Sequence, residues 1–340
     1  MTAREISRPG WTPRVGVAML ITTAVLVAAA SWIAPHTSSD QFPDKAYASP
    51  MRIHLVAEGR LRSPFVYRQV LEDRLLRRFG EDRSQPLSLR FFANGKLVSQ
   101  EPGAGPLLLL GADPLGRDVF SRVLLGARLS LGVAVTGVIG ALLVGALAGG
   151  LAGAAGGWVD RIIMIVADGV VALPGAYLVL VLRGLLPRVL STGETFGLMA
   201  LLFAAAAWPH AARGVRAIVA LERAKEYAEA ARASGAGSWR LARHLLPAAR
   251  GFLAVEVVLL IPALLVAEAT VSFLNMGFPE PAASWGTMLQ DAANVAVMTQ
   301  APWLLAPALA LFVVVLGVQL LGATPLTARA AARSFFIPNS

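Results

Sequence analysis

The chain has 340 residues, of which 56% are hydrophobic and only 15% charged, with a mean hydropathy of +0.63. Soluble globular chains carry about 25% charged residues, so this composition excludes a soluble protein and points to the bilayer. The net charge of +9 then reads as membrane topology rather than nucleic-acid binding, and the absence of cysteine excludes disulfides, thiol nucleophiles and Cys-ligated metal.

An all-α polytopic membrane protein is expected, with about six spans near residues 15–34, 129–154, 161–184, 196–216, 252–274 and 303–323. Each run reaches or exceeds the roughly 20 helical residues that cross ~30 Å of hydrocarbon. The first run, Val15 to Ala34, follows Arg4, Arg8 and Arg14. It is longer than a signal h-region and ends in Ser31-Trp32-Ile33-Ala34-Pro35 without a small-residue cleavage site, so it reads as a retained span. Six spans place both termini on one side. Lys and Arg mark that side as cytoplasmic: Arg213 to Arg250 holds seven Arg and one Lys, and the tail holds Arg329 and Arg333. The loops at Leu185–Thr195 and Asn275–Pro302 hold one Arg and no Lys between them. The segment 35–110 is Arg-rich yet falls outside in this scheme; loops beyond about 60 residues translocate largely regardless of charge.

That outer segment reads as a small α+β insertion. Met51 to Leu55 alternates as a strand should, as do Leu87, Leu89 and Phe91, which lead into Asn94-Gly95 and Lys96-Leu97-Val98, a hairpin signal. Tyr67 to Phe79 is expected to be a helix. Next, Asp113-Pro114 reads as an N-cap and first helical residue. It opens a surface helix with Val119, Phe120, Val123 and Leu124 on its apolar face and Arg117, Asp118 and Arg122 on its polar face. The second span is rich in glycine (Gly132, Gly137, Gly140, Gly145, Gly149, Gly150, Gly153), the residue that lets helix backbones approach in hydrocarbon. A contact within one subunit is the simpler use; a face for a second subunit is the other.

Between the fourth and fifth spans lies a charged helix–turn–helix, 222–247. Glu222 to Ala233 is made of helix formers, Gly235 sits at a C-terminal stop, Ser238 suits a second N-cap and Pro247 interrupts the end. Ala228, Ala230, Ala231 and Ala233 offer a low-bulk surface, with Glu226, Glu229 and Arg232 to orient a partner. Within the apolar runs, Asp168, Glu256 and Glu268 carry costly charges, and Arg183 lies near a span end, where it is expected to snorkel. Asp168 and Glu268 are candidates for the translocation path or a subunit contact. Chemistry is absent from the sequence. The three Lys (Lys45, Lys96, Lys225) lie outside any phosphate-cradling Gly-x4-Gly-Lys-[Ser/Thr], and His36, His54, His210 and His244 are scattered rather than paired as metal ligands. No catalytic residue, metal or cofactor is expected.

Glu229-Ala230-Ala231, Gly235 and Leu245-Leu246-Pro247 together resemble the EAA loop of binding-protein-dependent ABC importer permeases. Leu115-Gly116-Arg117-Asp118 with Ser121-Arg122, Gly126 to Ser130, Gly156-Gly157-Trp158-Val159-Asp160, Ala267 to Leu274, Ser284-Trp285-Gly286 and Ala301-Pro302-Trp303 are similar, in order, to the dipeptide/oligopeptide/nickel branch and its C-type subunit. The resemblance covers Gly111 to Thr324. It implies a type I permease core at 111–324 behind a tail and span at 1–34 and the insertion at 35–110, with a cytoplasmic tail at 325–340. It also implies a bacterial inner-membrane location and no nucleic-acid partner. The partners implied are a second permease subunit, two ATP-binding subunits and an extracytoplasmic binding protein delivering peptides. Glu226, Glu229, Ala230, Ala231, Gly235, Leu246 and Pro247 are then the ATPase-coupling residues. The interval from Gly235 to Pro247 is one residue shorter than the usual pattern, and 35–110 is longer than the family core needs. Nickel or another small solute is the alternative cargo. An ion-gradient transporter would need no coupling loop, a membrane hydrolase would need a nucleophile–base pair, and a sensor would place its function in 35–110.

Overall fold

Apolar length sets the architecture, and the computed structural model describes residues 11–57, 60–73, 77–93, 95–100, 105–173, 175–185 and 190–322. Arg4, Arg8, Asn94, Arg188, Arg329 and Arg333 of the topology and hairpin arguments lie outside them. In chain order, α1 (Trp11–Ala28) and the short α2 (Ala30–Ile33) precede four strands: β1 (His54–Ala57), β2 (Arg60–Asp73), β3 (Arg78–Ala93) and β4 (Lys96–Gln100). There follow α3 (Val119–Ala155), α4 (Gly157–Ala172), α5 (Gly175–Leu185), α6 (Thr192–Arg223), α7 (Glu226–Ala233) and α8 (Ser238–Leu245). The last helices are α9 (Arg250–Phe273), α10 (Trp285–Asp291), α11 (Val295–Gln300) and α12 (Ala306–Gly322).

Five stretches among the described residues are long and apolar enough to cross a membrane: α1, α3, α6, α8 running into α9, and the segment from Pro302 through α12. The run expected as the third span is present in two shorter pieces, α4 and α5. The break falls where the residue before a proline is disfavoured in the α region; Leu173 accordingly sits at φ −87, ψ 131 ahead of Pro174.

The described residues fall into two units. The first comprises residues up to Leu20, Val133–Glu268 and those from Val313 on; the second comprises Ile21–Gly132 and Ala269–Phe312. In the first unit α6 is the most buried of the candidate spans. Its neighbour α3 offers small residues at every fourth position: Gly137, Ala141, Gly145, Gly149 and Gly153. A Cβ at Gly145 would stand 2.5 Å from Ala211 Cβ, at Gly149 2.3 Å from the Ala212 carbonyl oxygen, and at Gly153 2.7 Å from that of Arg216. The glycine stripe is therefore spent on α3–α6 contact within the subunit. On the other side, α4 is tied to α6 by Arg216, whose Nε and Nη2 donate to the two Asp160 oxygens at 2.9 and 2.5 Å. Gly156 and Gly157, both left-handed (φ +66 and +58), turn the chain from α3 into α4 and so set Asp160 in reach.

The second unit holds the insertion. Its strands form an antiparallel sheet in the order β1-β2-β3-β4, with Phe65 opposite Ser88, Val66 opposite Leu87 and a tight β3–β4 turn closing at Ala93 and Lys96. Gly95 supplies the left-handed residue (φ +70) that the turn demands. The insertion is thus β rather than α+β: the expected helix at Tyr67–Phe79 is the end of β2 and the start of β3, its residues 74–76 lying outside the described residues, and the first expected strand begins at His54 rather than Met51. Arg, Gln, Leu and Glu give this stretch helical propensity, a weak preference that cross-strand pairing and the burial of Phe65, Val66 and Gln69 overrule. Val66 and Leu89 close over Ala48, Met51, Leu107, Leu108 and Ala112 to make the insertion's core.

The segment before α3 also differs from expectation. Asp113 does not cap a helix; its Oδ1 accepts from the backbone N–H of Leu115 and Arg117, making a turn at 113–117. The cap of α3 is Asp118, which accepts from the N–H of Phe120 and Ser121 and from the Ser121 hydroxyl. Arg117, Asp118 and Arg122, expected on a solvated face, are buried, so no separate surface helix exists here.

Candidate functional site

The charged segment after α6 folds as an elbow whose two arms bury one face each. On α7, Ala228 is fully buried and Ala231 packs beside it; on α8, Leu241, Ala242 and Leu245 point inward. They meet Val215 and Val219 of α6, Ala154 at the end of α3 and Ala249 before α9. Burying four or five such side chains, at roughly 1.5–3 kcal/mol for each full-sized one, fixes the elbow to α6 rather than leaving it a tether. Polar braces add direction. Glu222, on the last turn of α6, receives Lys225 Nζ and the Tyr227 hydroxyl, each at 2.6 Å, and Arg232 Nη2 donates to the Arg223 carbonyl oxygen at 3.2 Å. Partial burial and the Glu222 carboxylate push the Tyr227 phenol up to about 12.

The turn between the arms is a left-handed C-cap. Gly235 has φ +82, its N–H donates to the Arg232 carbonyl at 2.9 Å, and the Ala236 N–H reaches back to Ala231 at 3.1 Å. Ser238 is the first residue of α8 rather than its cap; Gly237 takes the cap position with no side-chain bond. Helix α7 starts at Glu226, because Glu222 still belongs to α6. Pro247 lies in a 3-10 turn, Leu246–Ala249, that leads directly into α9.

Of the expected coupling residues, Glu226, Glu229, Ala230, Gly235 and Pro247 are exposed, whereas Ala231 and Leu246 pack against the elbow's core. The low-bulk surface therefore consists of Ala230 and Ala233, since Ala228 faces inward. Two exposed aromatics on the elbow escaped the sequence reading: Tyr227, 46% exposed, and Trp239, 60% exposed. The available signal was an aromatic pair inside an otherwise charged, alanine-rich loop.

The charges in the apolar runs are placed as follows. Asp168 on α4 accepts from Arg213 Nη2 on α6 at 2.6 Å, with both side chains partly exposed. Glu268 on α9 is fully buried, and so is Arg183 on α5, which does not snorkel.

In the second unit the sequence motifs interlock. Trp285 donates through Nε1 to the Val123 carbonyl at 3.0 Å and through its backbone N–H to Ser130 Oγ at 2.9 Å. Gly286 lies so close to α9 that a Cβ would stand 2.5 Å from the Ala269 carbonyl oxygen. Trp303 Nε1 donates to the Ala112 carbonyl at 3.0 Å. At the centre, Arg117 is held by Asp113 Oδ2 at 2.5 Å and by Glu280, with Asp291 at 3.8 Å; Arg122 lies 3.6 Å from Asp113 and donates to the Ser38 carbonyl. Burial pushes the Asp118 carboxyl up to about 6 against the pull of its Ser121 and Phe120 hydrogen bonds, and burial followed by the Asp113 charge does the same to Asp291.

The family described as "Binding-protein-dependent transport system inner membrane component" matches residues 141–324. A Brucella ovis protein named as a peptide permease is 38% identical over 62% of this chain and 69% of its own length. The oligopeptide transport system permease protein of Bacillus subtilis is 36% identical over 57% of this chain and 61% of its own. The nickel transport system permease protein of Escherichia coli is 38% identical over 63% and 75%. Five apolar stretches long enough to cross a membrane, an elbow fixed to α6 and a match over more than half the chain lead to one conclusion: the chain belongs to the binding-protein-dependent ABC importer permeases, the membrane subunits of these transporters rather than their ATPases.

Proposed function

We propose that the chain forms half of a translocation path for di- or oligopeptides in a bacterial inner membrane. A second permease subunit forms the other half. An extracytoplasmic binding protein presents the peptide, and two ATP-binding subunits close on ATP, one of them gripping the α7–α8 elbow. Both termini and the elbow lie in the cytoplasm and the insertion at 35–110 lies outside. Glu226, Glu229, Ala230 and Gly235 meet the ATP-binding subunit, and Ala231, Leu246 and Pro247 set the elbow's pose. Asp168 and Glu268 belong to the path or to the contact between permease subunits.

The observation that carries this reading is the mounting of the elbow, with an apolar face sunk against α6 and α3 and a charged, aromatic face left open. A rigid mount is what a lever needs if closure elsewhere is to favour one state of the spans over another. Nickel is the second reading, favoured by the similarity to a nickel permease along three quarters of that protein's length.

Two substitutions test the coupling. Gly235→Pro removes the N–H that caps α7 and cannot adopt φ +82; Glu229→Lys reverses a charge on the open face. Both variants should insert and assemble with the second permease subunit, yet lose most uptake while ATP hydrolysis no longer responds to loaded binding protein. Wild-type uptake and stimulation in both would refute the role of the elbow. Competition of uptake by peptides against nickel ions separates the two cargoes.

A further inference from the structure

The tip of the insertion's β3–β4 hairpin carries two exposed phenylalanines, Phe91 at 46% and Phe92 at 71%. Phe92 adopts φ +56, a conformation that bulky residues rarely take, and this turn holds its ring out rather than folding it under the sheet. What the ring meets is Trp32, just beyond the first span, with ring centroids 5.7 Å apart. Trp32 is itself 43% exposed.

The same turn is pinned to the end of that span. Lys96 Nζ donates to the Ser31 carbonyl at 3.0 Å. From α3, Arg128 donates to the carbonyls of Val27 and Ala28 and to the Ser31 hydroxyl, at 3.0, 3.1 and 2.7 Å. Residues 27 and 28 end the apolar 18-residue α1 and 29–32 follow it directly, while Arg128 immediately precedes the apolar body of α3. Both helices thus leave hydrocarbon at the level where the hairpin tip lies. Tryptophan and other amphipathic or aromatic side chains collect at that boundary, and Lys and Arg there keep their charge in the headgroup layer.

We propose that the β3–β4 turn is a membrane foot: Phe91, Phe92 and Trp32 enter the interfacial layer of the bilayer, while Lys96 and Arg128 face its anionic headgroups. Continuity with the span and the cationic pair at the same depth favour lipid over another protein as the occupant of this patch. The foot gives the insertion an attachment to the membrane besides the two chain links that join it to the first span and to α3.

The cysteine-free chain makes the test direct. Phe92→Cys in the full-length protein, labelled with an environment-sensitive fluorophore, is reconstituted in nanodiscs of phosphatidylcholine and phosphatidylglycerol. Arg78→Cys, at the opposite end of β3, is the aqueous reference. The label at 92 is expected to emit to the blue of the reference. Lipids bearing a nitroxide high on the acyl chain should quench most of its emission, and aqueous iodide should quench it little; the label at 78 should show the reverse. Iodide access at 92 equal to that at 78 overturns the proposal. Shielding from iodide without quenching by lipid nitroxide also overturns it, because protein would then cover the patch. Phe91→Cys repeats the measurement should the first variant not assemble.

Discussion

Asp118 shows how one residue can link sequence, fold and solvent. As the cap of α3 it accepts three hydrogen bonds, yet it is fully buried and its carboxyl is pushed up to about 6 from an ordinary 3.8. The folded protein therefore holds this proton more tightly than the unfolded chain does. The stability that Asp118 contributes is full below 3.8 and is lost as pH rises through about 6. Asp118→Asn keeps an acceptor for the cap and has no charge to bury. Thermal melts in detergent should show the variant losing part of the decline between those limits, on the order of 3 kcal/mol; Asp291, shifted the same way, keeps the remainder. A melt profile unchanged by the substitution would refute the assignment. The sequence made Asp113 the cap because Asp-Pro is the stronger local signal. It could not show that Arg117 and Glu280 are neighbours across 163 positions, which is what draws Asp113 away.

Among the elements, the α3–α6 contact offers the sharpest contrast. Gly149 and Gly150 are adjacent and both helical, so alanine at either gains up to about 1 kcal/mol of helix propensity. Their surroundings differ. A Cβ at Gly149 would lie 2.3 Å from the backbone of α6, whereas one at Gly150 meets only Leu246 Cδ1 at 3.5 Å. Gly149→Ala should therefore lower the melting temperature and Gly150→Ala should hold or raise it; equal effects would sink the packing argument. A close helix contact was legible because a glycine-rich span is a statement about helices in hydrocarbon, although its period of four and its partner α6 were not. The elbow was legible too, its arms and turn marked by alanine-rich charge and by Gly235. Legibility failed at Tyr67–Phe79, where arginine and leucine imitate a helix and only the pairing of Tyr67 to Asp73 with Arg78 to Pro86 makes strands. It failed again at the third span, since a proline in an apolar run leaves hydropathy untouched while breaking the helix at Leu173.

For the whole molecule, the division of labour predicts what travels with it. Gentle extraction from native membranes should recover ATP-binding subunits and a second permease with this chain, and the chain alone should hydrolyse no ATP. Leu245→Ala, which empties a buried position beneath α8 and typically costs about 2–5 kcal/mol locally, should weaken retention of the ATP-binding subunits more than that of the permease partner. Equal loss of both would mean that the elbow serves the membrane assembly instead. The length of α6 adds a geometric consequence. Its 32 residues, at 1.5 Å each, make a rod of about 48 Å, against a hydrocarbon layer of ~30 Å. Even with tilt, over a dozen ångströms of this rod stand proud of the oily layer, shared between its two ends. The bend that follows it thus lies at the level of the polar headgroups, which bring the bilayer to about 40–45 Å, and whatever clasps it works at that charged boundary rather than within the oil.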